Sequence, residues 1–214
     1  MRNGHLTSDE ALTVLQQGNA RYVAGKPEHP NLSQERRSVT ASRNQHPFAA
    51  CLSCSDSRVP VELIFDRGIG DIFVVRVAGN VLGRSELASL EYAADHLGIP
   101  LILVLGHTHC GTLHAVFENG LRDGNLRSLA LRILPAVEKA NKDFPDQSLD
   151  KRVFEAMKAN VWNTVADIFS SSKSIREKVR NQELEVIGAF YDLETGQVNW
   201  MGQHPRQDQL VGRR

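Results

Sequence analysis

The chain has 214 residues, of which 41% are hydrophobic, and its 25 basic and 25 acidic side chains give a formal charge of zero at pH 7. This length suits one domain with a sizeable core, and the balanced charge offers no electrostatic attraction to nucleic acid or an anionic membrane. Three cysteines, an odd and low number, argue against a disulfide framework and favour a reducing compartment. The start lacks the apolar core of a signal peptide, and no stretch approaches the ~18 apolar residues of a membrane span. We therefore expect one cytoplasmic domain over 1–214, with no nucleic-acid or membrane partner.

The first predicted element is a helix. Residues 7–10 (TSDE) match a capping box, and the helical pattern runs to about Ala24. A polar, proline-bearing linker is predicted from there to residue 46. Residues 1–46 are thus expected to form an N-terminal helical arm and linker attached to the rest of the domain.

Three apolar, β-rich runs follow at 48–53, 72–77 and 100–106. They alternate with helical patterns near 61–66 and 85–97. Such alternation is typical of βαβαβ units. The predicted fold class is α/β, with a central, mostly parallel β-sheet flanked by α-helices and an extended N-terminal helix.

The second half of the chain is mostly helical in pattern. Residues 123–181 favour helix, interrupted by Pro135 and by a turn near 143–147. The runs at 185–191 and 198–201 are predicted as late strands. The last of them is expected at an edge or as a hairpin partner.

Cys54, His107 and Cys110 are the strongest candidates for a metal site. Two thiolates and an imidazole suit zinc, and three protein ligands leave one coordination position for chemistry, as in catalytic zinc sites. Cys54 follows the first predicted strand and His107 follows the third, so both lie at carboxyl ends of parallel strands, where open α/β sheets bind ligands. Cys110 falls in the first turn after the third strand, where a helix predicted at 111–117 begins, and the N-terminal dipole of that helix favours a thiolate.

Two other interpretations of these residues are open. Cys51 and Cys54 form a Cys-x-x-Cys pair, which is also found in redox motifs and in half of a zinc knuckle. However, residues three apart on a strand face opposite sides of the sheet, so Cys51 is predicted to be a small core residue. His107 has the alternative of a hydrogen-bonded core histidine, but its spacing from Cys110 favours a ligand.

Asp56 and Arg58 are predicted to serve the metal site. Zinc lowers the pKa of bound water from ~15.7 to about 7, so hydroxide is available near neutral pH to attack an electrophilic carbon. Asp56 lies close enough to Cys54 to occupy the open position, and Arg58 can hold that carboxylate bidentately and keep it away. An ionised Asp56 would then accept the hydrogen of the hydroxide and orient it. The alternative is an exposed salt bridge of little consequence.

The sequences CSDSR at 54–58 and HTHCG at 107–111, with FVVRVAGN at 73–80 between them, resemble the β-class carbonic anhydrases. The resemblance is strong over about 45–111 and looser at the N-terminal helix and 187–191. It implies one zinc ion per chain, held by the two cysteines and the histidine named above. The implied activity is the reversible hydration of carbon dioxide to bicarbonate and a proton.

The resemblance also implies a substrate pocket. Gln45 matches the family's carboxamide, Phe73 and Tyr92 match its apolar wall, Ala78 stands where valine is usual, and Gly111 follows the second thiolate. In many members the pocket lies between subunits, which implies a homodimer or a dimer of dimers embraced by the N-terminal helix. From the sequence alone, the two aromatic residues fit an ordinary core equally well.

Some members of this family close the site with the aspartate until the pH rises, and those tend to carry a tryptophan three residues before the first thiolate. Cys51 stands at that position, so the resemblance is to the always-open subgroup. Two other functions remain open. One is hydrolysis of a carbon dioxide analogue, carbonyl sulfide or carbon disulfide, by the same hydroxide. The other is a non-catalytic interaction module that zinc stabilises.

Overall fold

The computed structural model describes residues 6–42, 45–118, 120–121 and 123–212. Within them, the strands are β1 Ala49–Ser53, β2 Ile72–Arg76, β3 Leu101–His107, β4 Glu185–Tyr191 and β5 Val198–Gln203. The helices are α1 Ser8–Val23, α2 Gln34–Ser42, α3 Val61–Ile64, α4 Arg84–Asp95, α5 Gly111–Phe117, α6 Leu126–Asp143, α7 Leu149–Ser171, α8 Lys173–Arg180 and α9 Gln207–Val211.

The strands form one sheet in the order β2-β1-β3-β4-β5. The first four are parallel, and β5 is an antiparallel edge strand paired with β4. The predicted α/β fold and the edge position of the last strand are confirmed. Because β2 and β3 lie on opposite sides of β1, the connections diverge there, and the carboxyl ends of β1 and β3 flank a crevice that suits ligand binding.

Alternating side chains of the sheet enter two separate cores. On one face, Ala50, Leu52 and Val104 join a cluster with residues of α4, α7 and α8. On the other face, Cys51 and Leu103 join residues of α1 and α3. Every residue of β1 and β3 is buried, as expected for parallel strands covered on both sides. Burial of each large apolar side chain stabilises the fold by about 1.5–3 kcal/mol.

Helix α1 begins at the predicted capping box. The Thr7 hydroxyl accepts from the Glu10 N–H at 3.2 Å, and the Thr7 N–H donates to the Glu10 carboxylate at 2.7 Å. Ala11 and Leu15 are buried. At Gly18 the helix lies so close to the Phe65 carbonyl that a Cβ atom would come within 1.8 Å of its oxygen. One face of α1 therefore packs tightly on its own chain.

The predicted linker contains helix α2, which the sequence pattern did not reveal. None of the residues of α2 is buried, so it has no apolar stripe to detect. The chain before it is held by the buried Asp66, whose carboxylate accepts the N–H groups of Glu28 and His29 and the Nε–H of Arg21 at 2.6 Å. Burial raises the pKa of Asp66, but these donors outweigh it and the net pKa is lowered.

The predicted interruption at Pro135 does not occur. Pro135 lies inside α6, and one face of that helix is buried, which includes Ile133 and Ala136. Packing against α7 thus outweighs the hydrogen bond that proline removes. The turn predicted near 143–147 separates α6 from α7. In the described part of the chain, no helix has the length and apolarity needed to cross a membrane.

Candidate metal centre

Three buried side chains meet at the crevice between β1 and β3. Cys54 follows β1, His107 ends β3, and Cys110 immediately precedes α5. One potential ligand atom from each lies within 4.8 Å of the others, and the three residues are 3%, 1% and 2% exposed. This is the sole group of its kind among the described His, Cys, Asp and Glu residues. The structure therefore brings the three predicted metal ligands together.

The ring of His107 is oriented as a metal ligand requires. Its Nδ1 lies 2.8 Å from the Thr108 carbonyl oxygen, and since a carbonyl can only accept, Nδ1 carries the hydrogen. Nε2 of the neutral ring then has a free lone pair, and this buried atom is without a hydrogen-bond partner in the described chain. A core histidine would have both nitrogens bonded. The donor set and the orphaned nitrogen fit a zinc ion.

Without a bound metal, the pKa values of the two thiols are shifted in opposite directions. A hydrogen bond from Cys110, with another from the Gly79 N–H, lowers the pKa of Cys54 to about 4. The adjacent Cys54 sulfur and burial raise the pKa of Cys110. Since two buried thiolates repel each other, a divalent cation is what would allow both to ionise.

Asp56 and Arg58 form the predicted bidentate pair. Arg58 Nε donates to Asp56 Oδ1 at 3.0 Å and Nη2 donates to Oδ2 at 2.8 Å, while the backbone N–H of Arg58 adds a bond at 2.9 Å. The Arg58 guanidinium holds the pKa of Asp56 at about 2. The carboxylate is therefore ionised at neutral pH and acts only as an acceptor.

Other contacts around the site were not predicted. Arg58 Nη2 also donates at 3.1 Å to the carbonyl of His109, a residue with a left-handed φ of 54°. Arg76, at the end of β2, donates from Nε to the Cys54 carbonyl at 3.0 Å and from Nη2 to the Asp56 carbonyl at 2.6 Å. The sequence signal that could have pointed to Arg76 is a basic residue at the end of an apolar strand. The contact of the Gly79 N–H with the Cys54 sulfur, at 3.3 Å, had no local signal.

The residues expected to bind substrate are only partly brought together. The rings of Phe73 and Tyr92 lie 6.1 Å apart. Tyr92 is 46% exposed, so it is not a core aromatic residue. Ala78 is half-buried in the turn that also contains Gly79, and Gly111 begins α5. Gln45 is exposed.

Cys51 lies away from the three ligands. It is buried in the cluster shared with α1 and α3, whereas Cys54 belongs to a different cluster. Burial raises the pKa of its thiol, which keeps it protonated and unreactive. The prediction from strand parity is confirmed.

Replacing Cys51 with alanine should therefore leave metal content and turnover unchanged. The small cavity is expected to cost about 1 kcal/mol of unfolding free energy. Metal analysis, turnover and urea unfolding of Cys51→Ala would check this. A variant that loses its metal would show that Cys51 takes part in the site.

Comparison with known proteins gives consistent results. The family model described as carbonic anhydrase matches residues 49–198. Carbonic anhydrase 2 of Mycobacterium tuberculosis is 39% identical over 190 residues, which cover 87% of this chain and 89% of that protein. A tetrameric β-carbonic anhydrase of Sordaria macrospora superposes with a TM-score of 0.72 at 26% identity, covering 89% of this chain and 96% of the other. The β-carbonic anhydrase CafA of Aspergillus fumigatus gives 0.76 at 25% identity, with coverages of 92% and 96%.

Proposed function

Because this chain belongs to the β-carbonic anhydrase family, we propose that it catalyses the zinc-dependent, reversible hydration of carbon dioxide to bicarbonate and a proton. One zinc ion per chain would be held by Cys54, His107 and Cys110. The observation that carries the proposal is the convergence of these ligand atoms within 4.8 Å, with the Nε2 of His107 left without a hydrogen-bond partner among the described residues. Two thiolates and an imidazole are a donor set typical of zinc.

Zinc bound there would act as a Lewis acid that makes water nucleophilic near pH 7. The protein itself would contribute through Asp56, which can orient the attacking oxygen. As an ionised carboxylate it can accept a hydrogen bond from the attacking oxygen, which turns a lone pair of that oxygen towards the carbon of the substrate. Arg58 keeps Asp56 in place for this role and prevents it from occupying the fourth coordination position.

We further propose that the site is open at rest near neutral pH. The three hydrogen bonds from Arg58 to the Asp56 carboxylate support this, because both oxygens are already engaged by Arg58. Asp56 is also not among the residues whose ligand atoms converge. Cys51 occupies the position of the tryptophan that tends to accompany self-closing members.

The pocket is proposed to form between two subunits of a homodimer, with dimers able to pair. Phe73 lies three residues before the end of β2, which puts it about 10 Å from the carboxyl edge of its own sheet. Together with Tyr92 and Gln45 it is better placed to serve a neighbouring subunit, while Ala78 and Gly111 line their own site.

The open edge of β2 and the exposure of Tyr92 support this arrangement, as does the tetrameric relative. The partner would meet the face of α1 opposite Ala11.

A cytoplasmic location is part of the proposal. The three cysteines are free, and two of them must remain reduced to bind zinc. The 25 acidic and 25 basic side chains of the sequence balance, so no charged macromolecule is expected as a partner.

The purified protein should hydrate carbon dioxide rapidly with one zinc per chain, measured by stopped flow with a pH indicator. Removing zinc with a chelator should abolish turnover, and adding it back should restore it. Parallel assays with carbonyl sulfide and carbon disulfide test the alternative substrates. Fully zinc-loaded protein that does not hydrate carbon dioxide, or that prefers a sulfur analogue, would contradict the proposal.

A further inference from the structure

A strained turn lies next to the metal ligands. Residues Ala78–Asn80 form a single 3-10 turn after β2, and two successive residues within it have left-handed backbone angles, with φ of 75° at Gly79 and 44° at Asn80. Glycine adopts such a conformation freely, whereas for residues with a Cβ atom it is uncommon and carries a cost, although asparagine tolerates it better than most. The turn therefore depends on contacts from elsewhere in the fold.

This turn delivers a hydrogen bond to a metal ligand. The Gly79 N–H donates to the Cys54 sulfur at 3.3 Å. A hydrogen bond to a thiolate withdraws electron density that the sulfur would otherwise give to the metal. Two thiolates reduce the Lewis acidity of zinc more than imidazoles do. A hydrogen bond from this N–H to one of them would therefore help to preserve the Lewis acidity of the metal.

Two side chains of helix α7 donate hydrogen bonds to the turn. Asn160 Nδ2 donates to the Gly79 carbonyl at 2.8 Å, and Thr164 Oγ1 donates to the Asn80 carbonyl at 3.1 Å. Asn160 is 1% exposed and Thr164 is 2% exposed. Their spacing of one helical turn puts them on the same face of α7, so each reaches one of the two left-handed residues.

These polar groups stand among apolar neighbours. Val161 and Val165 of the same helix are fully buried in the core that α7 shares with the sheet. Burying an amide and a hydroxyl in such surroundings is unfavourable unless their hydrogen bonds compensate. The hydrogen bonds of both donors go to the strained turn, whereas the Asn160 Oδ1 is buried without a partner in the described structure. Holding the turn is thus the one polar contact that the Asn160 side chain makes there.

We propose that Asn160 and Thr164 are positioning residues for the reaction: they fix the turn at Ala78–Asn80 so that the Gly79 N–H points at the Cys54 sulfur and keeps the bound metal acidic. The inference rests on the proposed function, since it concerns the electronic character of a metal ligand. Neither residue touches substrate. They act through the backbone of the turn, and Asn160 lies 81 positions from Gly79 in the chain.

The test compares Asn160→Leu and Thr164→Val with the wild type, each loaded with zinc for turnover and with cobalt(II) for spectroscopy. Both changes remove a donor while keeping the branching and the number of heavy atoms of the side chain. Val165→Ala is the matched control, because it creates a cavity in the same helix without touching the turn. Losing the N–H···S bond makes the sulfur a stronger donor, so the thiolate-to-cobalt charge-transfer band should move to longer wavelength. Turnover should fall about tenfold, in the range usual for lost outer-shell partners.

Val165→Ala should show the wild-type band and turnover within about twofold of the wild type. A loss of core packing lowers the stability of the fold but does not by itself alter the metal ligands. An Asn160→Leu or Thr164→Val protein with an unchanged band would overturn the inference. If Asn160→Leu does not fold, Thr164→Val decides the matter, because its shape is conserved. The failure of the proposed function is recognised separately, since wild-type protein would then show no charge-transfer band or no carbon dioxide hydration.

Discussion

Replacing Cys110 with serine is expected to remove most of the zinc from the protein. Serine offers a hard, protonated hydroxyl where the site needs a soft thiolate, and the remaining two ligands cannot hold the metal tightly. Because a direct ligand is lost, turnover should fall about 100-fold or more, beyond the range for an outer-shell partner. Zinc content after dialysis and stopped-flow hydration rates would measure both effects.

The control for this experiment is Cys51→Ala, which also removes a buried sulfur atom but from the opposite face of β1. Cys110 lies in the cluster that contains Cys54, so the two cysteine variants separate loss of a ligand from general loss of core packing. Full zinc occupancy and normal turnover in Cys110→Ser would refute the assignment of this residue as a ligand.

Replacing Arg58 with alanine should lower turnover by about tenfold or more while zinc stays bound, as expected when an outer-shell partner is removed. The loss frees both oxygens of Asp56, which are now held at 2.8 and 3.0 Å. The carboxylate could then approach the metal and compete with water for the open position. Turnover, zinc content and X-ray absorption at the zinc edge would report on this change, and an added oxygen ligand is the expected signature.

Lys139→Ala is a suitable comparison, because it breaks an exposed ion pair with Asp143 whose atoms are 2.6 Å apart. Such a pair contributes about 0.3–0.5 kcal/mol to stability and should not affect turnover. If Arg58→Ala resembled Lys139→Ala, with normal rates, then Asp56 and Arg58 would be no more than a surface salt bridge. A full loss of zinc from Arg58→Ala would instead give Arg58 a role in metal retention that we do not expect.

Several features followed from the sequence because the information is local. Continuous apolar, β-rich runs identified the strands, and the alternation of side chains along a strand separated Cys51 from Cys54. The capping box located the start of α1 to the residue. Cys54, His107 and Cys110 were identifiable because their residue types and their positions at predicted strand ends already limit what chemistry they can perform.

Other features were decided by the tertiary structure. Helix α2 has no buried face and hence no pattern, and α6 continues through Pro135 because α7 covers it. Strand order cannot be read from periodicity, yet it is the adjacency of β1 and β3 that brings Cys54 to His107. The hydrogen bonds by which α7 holds the turn at Ala78–Asn80 are also decided by the tertiary structure. A hydrogen bond such as that from Asn160 to Gly79 joins residues far apart in the chain, so only packing of the whole domain determines that the two groups meet.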